Sequence, residues 1–107
     1  MQNKNIKTKD TLDILICALC KDYERREEII RSGTAARRVD TELRYINYKM
    51  RDAAAEISGD ELSEIFIAEI GGRRGYAISE ADYISETTYK NYKKLIKENI
   101  AKSLYLK

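Results

Sequence analysis

Residues 39–57, V-D-T-E-L-R-Y-I-N-Y-K-M-R-D-A-A-A-E-I, carry the most regular apolar spacing in the chain. Apolar side chains recur there at alternating intervals of four and three residues: Val39, Leu43, Ile46, Met50, Ala53 and Ile57. This heptad seam predicts an α-helix over about residues 35–57, whose apolar side packs against another helix.

A second apolar stripe precedes the seam. Its members are Leu12, Ile16, Leu19, Tyr23 and Ile30, with Arg26 at the position that the pattern leaves open. The stripe predicts a helix that begins at Thr8 or Asp10 and ends near Arg31. Ser32-Gly33-Thr34 then predicts a helix stop and a new start. Two long helices joined by so short a loop predict an antiparallel helical hairpin.

The second half of the chain predicts shorter helices. Leu62 to Ile70 forms an amphipathic helix that follows Ser58-Gly59-Asp60 and is closed by Gly71-Gly72. A short helix is expected over Ile78 to Tyr83.

Ser85 is predicted to cap a last helix that ends near Leu104. The residues expected to point inward are Tyr89, Tyr92, Ile96, Ile100 and Leu104. We expect the tail residues Tyr105 and Leu106 to close the core.

Composition agrees with a helical protein. The 107 residues include no proline and five glycines, and 43% of them are hydrophobic. The fold prediction is therefore all-α, with a long antiparallel helical hairpin over residues 1–58 and a helix-turn-helix module over residues 59–107. A single compact domain is the alternative division, since a chain of this length suits one domain.

Charge is sorted along the sequence although the net charge is only +2. From Ser85 to Lys107 six lysines accompany two glutamates, whereas from Gly59 to Ile84 two arginines accompany six acidic residues. The basic part thus coincides with the predicted last helix, which favours a nucleic-acid partner at that helix.

The stretch Ile78 to Tyr92, I-S-E-A-D-Y-I-S-E-T-T-Y-K-N-Y, resembles the helix-turn-helix in the fourth region of sigma factors. It is most similar to small phage and mobile-element regulators of the ArpU/RinA type. The positions that carry the resemblance are Ile78, Glu80, Ile84, Ser85, Thr88 and Tyr89, with Leu62 to Ile70 similar to the supporting helix. The resemblance implies that the helix after Ser85 enters the DNA major groove.

Helical spacing predicts which side chains would meet DNA. Those facing outward near the start of the last helix are Glu86, Thr87, Lys90, Asn91 and Lys94. Asparagine can pair with adenine, lysine can reach guanine, and threonine can contact the thymine methyl group. The candidates for phosphate contacts are Arg73, Arg74, Lys93 and Lys97. Ser85 and Thr88 complete the predicted DNA-binding set. The alternative is an ordinary solvated lysine face.

An arginine and tyrosine cluster in the first half has two interpretations. Its members are Tyr23, Arg25, Arg26, Arg31, Arg37, Arg38, Arg44, Tyr45 and Tyr48. Interleaved acidic residues favour ion pairs on helix surfaces, with the tyrosines packed at the seam, over a nucleic-acid backbone site. The seam could also continue into a second chain, which predicts a homodimer.

Other site types are disfavoured. Cys17 and Cys20 form C-A-L-C in an apolar helical run without histidine, so we expect buried reduced thiols and no metal or other cofactor. The absence of histidine also argues against an enzyme. No stretch is long and apolar enough to span a membrane and no secretory signal opens the chain, so a cytoplasmic location is expected.

The sequence therefore predicts a DNA-binding regulator of phage or mobile-element origin that acts on double-stranded DNA, with RNA polymerase or a site-specific recombinase as a further partner. An accessory factor for site-specific recombination is the first alternative. A helical adaptor that binds a protein and no DNA is the second.

Overall fold

The computed structural model describes residues 3–72 and 85–106, with side chains from residue 11 onward within those ranges. Its helices are α1 (Asn3–Lys21), α2 (Tyr23–Ser32), α3 (Arg37–Ser58), α4 (Asp60–Ile70) and α5 (Glu86–Ser103). The described residues contain no strand, and the all-α prediction is confirmed. The short helix predicted over residues 78–83 falls outside the described ranges.

Most helix ends lie where local chemistry predicts them. Gly33 ends α2 with a φ of 69° and donates its N–H to Ile30 O at 3.2 Å. This left-handed conformation is readily accessible to glycine because it has no Cβ. Gly59 separates α3 from α4, and Gly71 follows the last residue of α4. The predicted boundaries in this part of the chain are therefore confirmed to within about two residues.

The first predicted helix is wrong in two respects: it begins at Asn3 and not at Thr8 or Asp10, and the chain forms two helices with Asp22 between them. The break is stabilised by polar contacts that helical periodicity does not reveal. Asp22 accepts hydrogen bonds from Arg25 at 2.6 and 2.9 Å and from Arg26 at 3.0 Å. Arg26 also donates to Leu19 O at 2.7 Å. Its guanidinium group therefore contacts both the backbone near the end of α1 and the side chain of Asp22 at the break.

The long helix α3 is the centre of the arrangement. It packs against α4, α5 and α2, while α1 packs mainly against α4 and α5. The seam of α3 supplies Met50 and Ala53 to the buried core, and Ile46 and Ile57 pack against that core. Val39, at the start of the seam, is 46% exposed. Most of the seam is therefore covered by the chain's own helices, and a homodimer would need another surface.

Phe66 lies at the centre of the aromatic part of the core. Its ring stacks on Tyr89 with centroids 5.6 Å apart, and meets the edge of Tyr92 at 5.8 Å. Ile96 and Ile100 are fully buried further along α5. The inward side predicted for the last helix is thus confirmed.

The prediction that the tail closes the core is wrong. Tyr105 is 84% exposed and adopts a φ of 61°. Its N–H binds Lys102 O at 3.1 Å, and the N–H of Leu106 binds Ala101 O at 2.8 Å. This pair of bonds is the Schellman pattern, with tyrosine where glycine is usual. The chain consequently turns back along α5, and the Tyr105 side chain projects into solvent.

Candidate nucleic-acid interface

The start of α5 is fixed by the predicted serine cap. Ser85 Oγ accepts the backbone N–H of Thr88 at 3.1 Å and donates to the hydroxyl of Thr88 at 3.0 Å. A cap of this kind satisfies one of the free amides that open a helix. The hydroxyls of Ser85 and Thr88 are therefore occupied in holding the helix end, although both residues were predicted to contact DNA.

The inner side of α5 is anchored to both α3 and α4. Tyr89 donates its hydroxyl to Glu69 at 2.5 Å, and Asn99 donates to Ala53 O at 3.0 Å and to Glu56 at 2.6 Å. Burial of the Tyr89 phenol, together with its bond to Glu69, raises the pKa of Tyr89 to about 12. These contacts fix the rotation of α5 and hence which side chains face solvent.

The outer side of α5 carries four of the predicted DNA-contacting residues. Thr87, Lys90, Asn91 and Lys94 are all exposed, and their spacing of three, one and three residues places them on one side of the helix. Glu86, also exposed, lies 3.4 Å from the ammonium group of Lys90. An exposed ion pair of this kind contributes little and exchanges readily with water or another anion.

Two of the predicted phosphate-binding lysines lie at the edge of this surface and already have partners. Lys97 forms an ion pair with Asp13 of α1 at 2.9 Å. The ammonium group of Lys93 lies 5.3 Å from the centroid of the Tyr89 ring, a cation–π contact. Both side chains are half-buried. Arg73 and Arg74 fall between the two described ranges, so no geometry is assigned to them.

The two helices that meet at Phe66 have opposite charge. Residues 85–106 contain five lysines and two glutamates, a net charge of +3, whereas residues 59–72 contain four acidic residues and no cation, a net charge of −4. The two segments largely cancel each other in the overall net charge, so the sorting of charge is visible only when the helices are compared one by one.

Most of the arginine and tyrosine cluster forms ion pairs, as the favoured interpretation predicts. Four of its six arginines are paired: Arg25 and Arg26 with Asp22 at 2.6 and 3.0 Å, Arg31 with Glu24 at 3.4 Å and Arg44 with Asp40 at 2.7 Å. The tyrosines differ from the prediction. Tyr23 is buried, but Tyr45 and Tyr48 are 50% and 56% exposed and are not packed at the seam. Their positions on α3 lie outside the apolar stripe, which is why the seam does not cover them.

The feature that sequence reasoning missed is a buried polar junction, formed by Asp22, Tyr23, Arg26, Glu27, Asn47, Arg51 and Glu64. Arg26 is 3% exposed and donates to Asn47 Oδ1 at 2.6 Å and to the sulfur of Met50 at 3.1 Å. Asn47 in turn donates to Tyr23 O at 3.2 Å and to Glu27 at 2.8 Å. The only sequence signal for this junction was Arg26, a charged residue inside the apolar stripe of the first predicted helix.

The second half of the junction connects α2 and α3 to α4. The Tyr23 hydroxyl donates to Glu64 at 2.6 Å and accepts from Arg51 at 2.7 Å, and Arg51 also lies 3.1 Å from Glu27. Burial of the phenol raises the pKa of Tyr23, and its hydrogen bond to Glu64 raises that pKa further. The hydrogen bond from Arg25 lowers the pKa of Asp22. No buried polar side-chain atom of the described residues lacks a partner, so the junction is fully satisfied.

The two cysteines are unbonded thiols. Cys20 is buried and Cys17 is half-buried, so the prediction of two buried thiols holds in full only for Cys20. Burial raises the pKa of the Cys20 thiol to about 12, which keeps it protonated and a poor metal ligand. Among the described residues, no group of three or more cysteine or acidic side chains is arranged to hold a metal ion.

Comparison with known proteins adds no relative. No protein-family model matches the chain, and neither a curated protein nor a solved structure matches it significantly. The similarity to the sigma-factor helix-turn-helix stays a prediction from residues 78–92. Within the described part of the chain, no helix has the length and apolar character that crossing a bilayer requires.

Proposed function

We propose that the protein is a DNA-binding regulator that inserts the N-terminal half of α5 into the major groove of double-stranded DNA. The observation that carries the proposal is the exposed surface formed by Thr87, Lys90, Asn91 and Lys94 on a helix whose rotation is fixed from within. We call these four side chains the α5 outer surface.

The chemistry of the α5 outer surface suits a groove. Asparagine can make a bidentate pair with adenine, lysine can donate to guanine, and the threonine methyl group can contact that of thymine. The two lysines also provide contacts to phosphates, whose counterions are released on binding. Glu86 complements the positive end of the α5 dipole, and its carboxylate is of the kind that accepts from cytosine.

The arrangement that this function needs is proposed along with it. In it, α4 and the helix predicted over residues 78–83 support α5 as a helix-turn-helix, while α2 and α3 form the hairpin that precedes the module. The resemblance of residues 78–92 to sigma-factor and ArpU/RinA-type modules supports a cytoplasmic regulator of phage or mobile-element origin. A homodimer that contacts RNA polymerase is the form proposed to act. A recombination accessory that works beside a site-specific recombinase would use the same DNA-binding surface.

Removal of the two lysines of the α5 outer surface tests the proposal. The variant Lys90→Ala with Lys94→Ala should bind random duplex DNA about tenfold or more weakly at low salt. The slope of log affinity against log salt should become about two units shallower, since about one unit is lost for each phosphate-contacting lysine. Fluorescence anisotropy of a labelled duplex across a salt titration measures both quantities.

The matched control removes the same charge elsewhere. Lys21→Ala with Lys102→Ala takes two positive charges from α1 and from the far end of α5 and should leave the slope almost unchanged. If both double variants weaken binding equally, DNA is bound by a general electrostatic attraction and not through the α5 outer surface. If the wild-type protein fails to bind duplex DNA even at low salt, the DNA-binding function is overturned and the adaptor alternative is favoured.

A further inference from the structure

The side of α3 that carries Tyr45 and Tyr48 is an exposed surface of unusual composition, on which the ammonium group of Lys49 lies 5.7 Å from the centroid of the Tyr45 ring. Two tyrosines that are at least half exposed lie three residues apart near the middle of the helix. Arg38, Thr41 and Asp52 are exposed as well, and together with the tyrosines they recur at intervals of three and four residues. Such spacing aligns side chains along one side of a helix. Tyrosine is enriched at protein interfaces because it combines apolar area with a polar end.

The two ends of this surface carry opposite charge. Arg37 and Arg38 are exposed at the start of α3, and neither forms an ion pair with a described residue. Asp52, four residues beyond Tyr48, and Asp60, at the start of α4, are exposed and likewise form no ion pair within the described ranges. By contrast, Arg44 on the same helix pairs with Asp40 at 2.7 Å.

A cleft adjoins the acidic end. It has a volume of about 350 Å³ and lies between α3 and α4 beside the Tyr48 ring. The residues that line it are Tyr48, Arg51, Asp52, Ala55, Asp60, Ser63 and Glu64. Since Arg51 already binds Tyr23 and Glu27, and Glu64 accepts from Tyr23, the groups left without a partner are the carboxylates of Asp52 and Asp60. The cleft is thus suited to a guanidinium group from outside the chain.

We propose that this surface is a homodimer interface in which two copies of α3 lie antiparallel. In this arrangement, Arg37 and Arg38 of each chain face the partner's Asp52 and Asp60, while Tyr45 and Tyr48 of both chains pack at the two-fold axis. Residues 38–52 extend about 21 Å along the helix, so both charged ends can engage at once.

A second copy of this chain fits better than another kind of partner. A two-fold interface is formed by the same patch on both chains, so the patch must complement itself. A surface with cations at one end, carboxylates at the other and aromatic rings between meets that requirement when one copy is reversed. A purely basic or purely acidic partner would satisfy one end and be repelled by the other.

This inference rests on the self-association included in the proposed function, but it does not depend on DNA binding. The two are therefore tested separately, and self-association is measured without DNA. Sedimentation velocity over a concentration series should show a reversible monomer–dimer equilibrium for the wild-type protein. A strict monomer up to millimolar concentration would overturn the homodimer and leave the DNA experiment unaffected.

Charge reversal tests the orientation. The variant Arg37→Glu with Arg38→Glu, and separately the variant Asp52→Arg, should each weaken the dimer about tenfold or more because like charges are brought together. Mixed in equal amounts, the two variants should form a heterodimer, since glutamates of one chain then face arginine of the other. Recovery on mixing is the decisive result, and its absence would rule out the antiparallel pairing.

Two further variants keep this test interpretable. Glu28→Arg reverses an exposed charge on α2 and should leave the dimer unchanged. Tyr45→Ala with Tyr48→Ala removes the aromatic centre without changing charge and should also yield monomers. Far-UV circular dichroism verifies that each variant is folded. A dimer that is insensitive to both the charge reversals and the tyrosine replacements would place the interface elsewhere.

Discussion

The buried polar junction around Arg26 and the α5 outer surface both contain closely spaced cations, yet the cations have different partners. In the junction, Arg26 contacts Asp22, Asn47, Met50 and the backbone of Leu19, and no side chain there is left unsatisfied. On the α5 outer surface, Lys94 is exposed and Lys90 has only the weak contact with Glu86. One set of charges links four helices, α1 to α4, while the other remains available to a partner.

The two sets of cations differ in burial rather than in charge density. A buried guanidinium has lost its hydration, so every hydrogen bond it makes is needed to offset the cost of desolvation. An exposed ammonium keeps its hydration, and when it binds a polyanion it displaces cations condensed around that polyanion. Substitutions in the junction should therefore change stability, whereas those on the α5 outer surface should change binding.

The largest effect is expected at Arg26. Arg26→Ala leaves the buried Asn47 oxygen without its donor and leaves a cavity beside Met50, so the free energy of unfolding should fall by about 2–4 kcal/mol. Arg25→Ala, at the neighbouring exposed arginine, removes an equal charge and an ion pair to the same aspartate, and should lower the free energy of unfolding far less because that ion pair is exposed to solvent. Urea denaturation followed by circular dichroism measures both values.

Equal stability of the Arg26→Ala and Arg25→Ala variants would contradict this prediction. That result would mean that water replaces the guanidinium of Arg26 at little cost and that the junction is not a structural centre. A greatly destabilised Arg25→Ala would instead identify the bidentate contact with Asp22 as the group that holds the helix break.

The next largest effect is expected at Gly71, where the end of α4 lies against Cys20 and Lys21 at the end of α1. A Cβ placed on Gly71 would lie 2.7 Å from the backbone nitrogen of Lys21 and 2.9 Å from the carbonyl carbon of Cys20. Since backbone cannot move aside as a side chain can, Gly71→Ala should destabilise the fold by about 1–3 kcal/mol. It should also lower hydrogen-exchange protection at residues 20–23.

Gly33→Ala is the matched control for that exchange measurement. It is strained by its positive φ, but a Cβ there meets no atom within 4 Å. The free energy of unfolding should fall in Gly33→Ala, but the hydrogen-exchange protection of residues 20–23 should be the same as in the wild-type protein. Equal loss of protection in the two variants would contradict a close contact specific to Gly71.

Much of the secondary structure was predictable because it depends on local chemistry. The heptad seam of α3, the stops at Gly33 and Gly59 and the cap at Ser85 follow from periodicity and from the φ values and hydrogen bonds that particular residues favour. The outward positions of Thr87, Lys90, Asn91 and Lys94 were predictable for the same reason. Once the inner stripe of a helix is known, its outer side follows from the helical repeat.

The remaining features depend on contacts between residues far apart in sequence. The break at Asp22 is stabilised by Arg26 and lies where α4 reaches α1, and neither contact has a local signature. The left-handed Tyr105 contradicts the preference of its residue type, so local propensity predicted the wrong path for the tail.

A smaller effect, on pH dependence, separates the inner side of α5 from its outer side. The phenol of a tyrosine in an unfolded chain ionises near pH 10, whereas Tyr89 keeps its proton to about 12 beside Glu69. Between these values the unfolded state binds fewer protons than the folded state, so stability should fall as the pH rises. Cys20 acts in the same direction from about pH 9, because burial raises the pKa of its thiol to about 12.

Tyr89→Phe should make the loss of stability between pH 10 and 12 shallower, as measured by urea denaturation at several pH values. Tyr105→Phe, at a tyrosine that is 84% exposed, should leave the slope unchanged. If the two phenylalanine variants gave the same slope, the bond between Tyr89 and Glu69 would not be what fixes the rotation of α5, and the outward positions of Lys90 and Lys94 would lose one of their supports.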